Sequence, residues 1–165
     1  MKHVPIPESY WVTERLLAGE YPRTRDETES EEKMAMLLGA GVTSFVDLTE
    51  EGELLPYAAL LRDGIRTRRL AIHDLDCPSC DEMTAILDAI DAELARGETV
   101  YVHCWGGRGR TGTVVGCWLV RHGSGGEEAL QRIAELRRTP DALAGRDAPE
   151  TREQKAMVRE WQEER

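Results

Sequence analysis

No apolar run in the chain approaches the roughly 18 residues needed to cross a bilayer, so stable membrane insertion is not expected. The N-terminus, MKHVPIPESYW, lacks the basic-then-apolar order of a secretory signal. Cysteine is sparse. Four in 165 residues do not make a disulfide framework, and the reducing cytoplasm is the expected compartment. Positive charge is in deficit: 21 Lys+Arg stand against 31 Asp+Glu, a formal net charge of -10. That balance argues against nucleic acid or an anionic membrane as the main partner. Internal repeats, low-complexity segments and long linkers are missing as well, so one domain over residues 1–165 is expected. An anionic ligand would need a local positive site.

What is present is ordinary for a soluble globular protein: 41% apolar and 32% charged residues. A chain of this length buries roughly 70% of its unfolded surface, enough for a core without metal or disulfide staples. WVTERLLAGEYP reads as an extended entry segment ending in a turn at Gly19–Pro22. A helix is expected from about Glu29 to Leu38, stopped by Gly39 and Gly41, followed by the short strand TSFVDL. Leu54 to Arg62 suits a helix with Pro56 in its first turn. IRTRRLAI alternates as a second strand, and HDLDCPS is a loop.

Ser79 and Glu82 form a capping box for a helix that carries Met83, Ile86, Leu87, Ile90 and Leu94 on one face. TVYVH is a buried third strand, and an apolar helix follows the glycine-rich CWGGRGRTG. Two amphipathic helices, Glu127–Arg138 and Glu150–Glu163, flank a loop around Pro140–Pro149. Strands alternating with helices predict an α/β domain with a central, mainly parallel sheet flanked by helices. Ligands in such sheets sit beyond the carboxyl ends of the strands, where residues 103–112 fall.

In VHCWGGRGRTG a buried strand ends at His103, and Cys104 follows. Gly106, Gly107 and Gly109 let successive backbone N–H groups converge on one point, and the helix entered at about Arg110 adds its positive end. A cysteine facing such a nest is held as the thiolate. Arg110 can reach back and bind two oxygens of a phosphate, and Thr111 can donate to the sulfur. The pocket suits a tetrahedral dianion such as phosphate or sulfate, with a nucleophile beneath it.

HCWGGRGRTG resembles the HCxxGxxR[ST]G signature of the cysteine-dependent protein tyrosine and dual-specificity phosphatases, in their compact branch. The resemblance implies that family's fold and a phosphocysteine mechanism without metal or cofactor. The substrate it implies is a phosphoprotein (phosphotyrosine, with phosphoserine and phosphothreonine tolerated) or a phosphorylated small molecule. It also implies a general acid ahead of a proline. Ile72-His73-Asp74-Leu75-Asp76-Cys77-Pro78 fits I-x-D-x-x-x-P and places the acid at Asp74, with Asp76 the rival. Any such reaction needs an acid, because protonating the leaving oxygen is worth about 10²–10⁴-fold.

By the same resemblance Gln154 positions the hydrolytic water, although Glu150 stands where the family has a first Gln; a plain exposed helical Gln is the competing reading. His103, one residue before the nucleophile on a strand, should point away from the pocket and orient the loop. Trp105 is either pocket wall or core. Arg108 adds a second charge, as in phosphoinositide phosphatases, or lies exposed at the rim, and His73 is a further neighbour of the acid. Cys77 and Cys80 lack the second pair that zinc would need and are expected to pack or lie on the surface. Cys117 is expected in the core.

Overall fold

The computed structural model describes residues 2–138 and 141–163. Its strands are β1 (Ser9–Thr13), β2 (Leu16–Gly19), β3 (Ser44–Asp47), β4 (Arg66–Arg69) and β5 (Val100–His103). They form one sheet in the order β1-β2-β5-β3-β4, parallel throughout except for the antiparallel β1–β2 pair. The helices are α1 (Glu27–Gly39), α2 (Cys80–Ala95), α3 (Gly109–Arg121), α4 (Gly126–Arg138) and α5 (Arg152–Arg159). The α/β class and the mainly parallel central sheet are as the sequence predicts.

Strand alternation divides the core into two layers. Val12, Leu16, Ala18, Val46, Val100 and Val102 pack with α2, α3 and α4 side chains, including Met83, Ile90, Val114 and Ile133. Trp11, Leu17, Phe45 and Tyr101 pack on the opposite side with Met34 and Leu37 of α1. The capping box of α2 is the one legible in the sequence, and the structure adds a cap for α1. Asp26 accepts from Glu29 N at 2.8 Å at the start of α1, and Ser79 and Glu82 exchange two 3.1 Å bonds at the start of α2. β4 is an edge strand of four exposed residues, and its arginines discourage edge-to-edge pairing.

Three expectations are corrected. The entry segment is a hairpin rather than one extended stretch, because Thr13 Oγ1 accepts from Arg15 N and Leu16 N and turns the chain without a glycine. Leu54–Arg62 is not a helix; only Ala58–Leu60 makes one 3-10 turn. The carbonyls that a helix would use internally are taken by side chains: Leu55 O accepts from the Tyr21 hydroxyl at 2.5 Å and Pro56 O from Arg23 Nη1 at 3.1 Å. The last helix spans Arg152–Arg159 rather than Glu150–Glu163, since Thr151 and Gln154 form its capping box. The start of the expected Pro140–Pro149 loop lies outside the described residues.

Candidate active site

The parallel strands deliver their following loops to one end of the sheet. Glu20 and Tyr21 follow β2, Glu53 follows β3, Ile72 and Asp74 follow β4, and the Cys104–Arg108 loop follows β5 at the centre. Alternation along β5 sends His103 to the aromatic layer of Phe45, Tyr57 and Tyr101, while Cys104 belongs to the other layer. His103 is wholly buried, and burial pushes its pKa down to about 4, so the ring is neutral. Its Nδ1 lies 3.4 Å from the Cys104 carbonyl and its Nε2 2.8 Å from the Tyr57 hydroxyl. A carbonyl only accepts, so Nδ1 carries the hydrogen and Nε2 accepts from Tyr57. His103 points away from the pocket and steadies the loop, in the orientation expected.

The loop is turned inside out with respect to ordinary backbone pairing. Tyr21 N–H donates to Trp105 O at 2.8 Å, and Arg137 Nη1 donates to Gly107 O at 3.2 Å. With those carbonyls engaged outward, the N–H groups of Trp105 to Arg110 make no bond to an acceptor among the described residues. Successive N–H groups left in this way suit an anion. Gly107 is required here: its φ is +72°, and a Cβ would stand 2.6 Å from Gly19 O and 2.7 Å from Glu20 N. Gly109 is tight for another reason, since its Cβ would meet the Gln154 amide at 3.1 Å.

Arg110 is 1% exposed and held from two sides. Its Nη1 and Nη2 donate to the Glu53 carboxylate at 2.8 and 2.7 Å, and Nη1 also donates to Ile72 O at 3.0 Å. The guanidinium holds the Glu53 carboxyl below the usual carboxylate range. Nε of Arg110 is buried with no partner among the described residues, and so is the Thr111 hydroxyl. Asp74 Oδ1 lies 3.5 Å from Arg110 Nη2. Asp74, Cys104, Gly106, Gly109 and Arg110 line one cavity of about 520 Å³. Glu53 escaped the sequence reading, because nothing in a separation of 57 residues links it to Arg110.

The remaining candidates sort by geometry. Asp76 contributes its backbone, accepting from Gln154 Nε2 at 3.3 Å, and does not line the cavity. Gln154 is fully buried, not an exposed helical residue; its Oε1 accepts from Glu150 N and Thr151 N at 3.1 and 3.0 Å. It thereby joins the start of α5 to the acid loop and packs on Gly109. Trp105 is 61% exposed and forms the cavity rim with Leu75, which removes the core reading. Arg108 is engaged by Asp147 O and by Glu150 Oε1, the latter at 3.0 Å. His73 is exposed and pairs with Glu50 at 2.6 Å. All four cysteines are free; Cys117 is buried in the core as expected, Cys77 half-buried and Cys80 exposed. Among the described residues no group of three or more His, Cys, Asp or Glu stands together that could hold a metal ion.

The family described as "Polymorphic toxin system, DSP-PTPase phosphatase" matches residues 19–124, from the end of β2 through α3. The chain belongs to this family. It is 36% identical over 118 residues to the putative tyrosine phosphatase 067L of Invertebrate iridescent virus 3, covering 67% of this chain and 45% of that protein. It is 33% identical over 116 residues to the phosphatidylglycerophosphate phosphatase PTPMT2 of Arabidopsis thaliana, covering 68% and 47%. The chain thus spans about half the length of these curated relatives. Among solved structures, Tk-PTP in its active form superposes with a TM-score of 0.75 at 28% identity, covering 93% of this chain and 95% of that one. In this DSP-PTPase chain no helix among the described residues is long and apolar enough to cross a membrane.

Proposed function

We propose that the chain hydrolyses phosphate monoesters through a covalent phosphocysteine. The observation that carries the reading is the buried Arg110, clamped by Glu53 with its Nε unpartnered, in the same cavity as Cys104 and six unengaged backbone N–H groups. The nest and the Arg110 guanidinium hold the equatorial oxygens while the Cys104 thiolate attacks phosphorus in line. An S–P bond forms, the P–O bond to the leaving group breaks, and Asp74 gives its proton to the departing oxygen. Water then attacks phosphorus, the Asp74 carboxylate takes its proton, and phosphate leaves with the thiolate restored. The Thr111 hydroxyl donates to the sulfur as it departs. Gln154, by bonding Asp76 O and packing on Gly109, holds the acid loop against the nest rather than positioning water through an exposed amide.

Protein phosphotyrosine and a polyphosphorylated small molecule or lipid head remain the two substrate readings. The relatives' names span both, a tyrosine phosphatase and a phosphatidylglycerophosphate phosphatase. The exposed Leu75 and Trp105 at the rim provide apolar contact for a leaving group in either case. The test is Cys104→Ser in the full chain. Turnover of p-nitrophenyl phosphate is lost while tungstate or phosphate still binds; turnover retained in that variant contradicts the reading.

A further inference from the structure

The cavity that holds Cys104 and Arg110 does not end there. Arg137, Leu143, Gly145 and Arg146 line its other side. We propose that Arg137 and Arg146 form a second anion subsite, taking a neighbouring phosphate of a compact polyol bisphosphate whose first phosphate lies over Cys104. This rests on the reading of Cys104 and Arg110 as the site of phosphoester hydrolysis.

Arg137 is the anchor of the argument. It lies in the last turn of α4 and is 3% exposed. Nη1 donates to Gly107 O at 3.2 Å and Nη2 to Arg146 O at 3.3 Å, while Nε is buried without a partner among the described residues. Those carbonyl bonds take one hydrogen each from Nη1 and Nη2 and supply no countercharge, and the Tyr10 ring, 5.7 Å from the guanidinium carbon, compensates only in part. No carboxylate among the described residues forms an ion pair with it. A buried guanidinium left so costs several kcal/mol. Burial, with the neighbouring Arg108 and Arg146, disfavours its charged form, and Tyr10 beside it offsets part of this.

The surrounding charges do not relieve it. Arg108, the residue that the sequence singles out for a second phosphate, spends its charge on Glu150 at 3.0 Å. Arg146 has a 61% exposed side chain, and its ion-pair partner among the described residues is Glu8, at 4.0 Å. In a chain of net charge -10, Arg137 and Arg146 therefore both line the cavity proposed to take one phosphate, whose Glu150 carboxylate is paired with Arg108. A second phosphate would supply the missing negative charge through charge-assisted, bidentate bonds.

The geometry favours a small molecule over a doubly phosphorylated peptide. Both subsites open into one cavity of about 520 Å³, so the two phosphates must hang on a short spacer. Successive side chains of an extended peptide point to opposite sides, and same-side neighbours lie roughly 6.8 Å apart along the strand before their side chains begin. Adjacent hydroxyls of a polyol ring carry two phosphates within a single compact unit. Long-range repulsion from the acidic chain also weighs more on an extended acidic peptide than on a ligand enclosed in the positive cavity.

The test compares kcat/KM of the full chain for an inositol bisphosphate with adjacent phosphates, the matching monophosphate, and a doubly phosphorylated peptide. The same bisphosphate head is also presented in vesicles on a phosphatidylinositol. The bisphosphate should be preferred over the monophosphate, and Arg146→Ala should lower that preference about 10-fold or more, the loss of one charge-assisted bond. Arg146 is exposed, so its replacement does not endanger the fold. Arg132→Ala, on the outer face of α4, makes the same change in net charge and should leave the preference unmoved. Dependence on Arg146 in free or vesicle presentation supports the subsite, and the better presentation identifies the source of the head. A preference that Arg146→Ala does not move, or faster turnover of the doubly phosphorylated peptide, overturns it. Failure of the unaltered chain to hydrolyse p-nitrophenyl phosphate would instead remove the underlying hydrolysis reading.

Discussion

Replacing Glu53 by Gln tests how the site aims its arginine. Glu53 offers two oxygens to Arg110 at 2.8 and 2.7 Å, and the guanidinium they hold is 1% exposed. Gln keeps the shape but has one acceptor oxygen and no charge, so one charge-assisted bond disappears. Such a bond is worth about 1.5–3 kcal/mol, and leaving a buried ion less compensated adds to the loss. Two consequences follow. The ligand-free variant should be destabilised by about 2 kcal/mol in urea, and saturating tungstate should recover part of this by supplying the missing negative charge. Turnover should fall as well, because one neutral amide oxygen and Ile72 O hold the guanidinium less firmly and no longer fix where Nε points. About 10–100-fold in kcat/KM for p-nitrophenyl phosphate corresponds to about 1.4–2.8 kcal/mol of transition-state stabilisation. The assays are urea titration with and without tungstate, and steady-state kinetics. Kinetics within twofold of the unaltered chain would refute the view that Glu53 positions Arg110.

The other expectations are quicker to state. Asp74→Asn should slow turnover about 10²–10⁴-fold and remove the high-pH limb of the rate profile, whereas Asp76→Asn, whose contribution is a backbone carbonyl, should do neither; the reverse pattern in the pH–rate profiles reassigns the acid. Gly107→Ala places a Cβ 2.6 Å from Gly19 O at a φ of +72° and should lower stability by at least about 2 kcal/mol on denaturant titration, with loss of activity. The neutral His103, with its pKa pushed down to about 4 by burial, binds fewer protons folded than unfolded between that value and 6.5. Its contribution is therefore present above about pH 6.5 and declines as pH falls toward 4. The stability gap between the unaltered chain and His103→Gln should shrink by roughly 2–3 kcal/mol from pH 7 to pH 4.5, measured as paired denaturant titrations; a gap independent of pH contradicts a neutral buried imidazole.

The sequence reveals what is local. The three parallel strands TSFVDL, IRTRRLAI and TVYVH, the cap at Ser79, and the glycine turn between Cys104 and Arg110 are each written in a short stretch, where residue spacing translates directly into geometry. Alternation along β5 was enough to send His103 away from the pocket. What escaped depends on residues far apart. Glu53 meets Arg110 only because β3 and β5 run side by side, and the 54–62 segment is held out of a helix by the distant side chains of Tyr21 and Arg23. The contact of Arg137 with Gly107 and Arg146 becomes visible only when α4 closes over the loop. Arg108 illustrates the opposite hazard: its position in the signature is conspicuous, yet Glu150 neutralises it. Gln154, which the sequence leaves between a water-positioning residue and an exposed helical one, is turned inward by a capping box.

The central claim is that the Cys104 sulfur attacks phosphorus. The most direct measurement is a rapid acid quench of the full chain turning over p-nitrophenyl phosphate, followed by mass spectrometry of its peptides. A phosphoryl group should appear on the Cys104 peptide, in step with a burst of nitrophenolate, and should be absent from Cys104→Ser. Turnover without any phosphorylated Cys104 peptide, or with the phosphoryl group on another residue, would contradict the account.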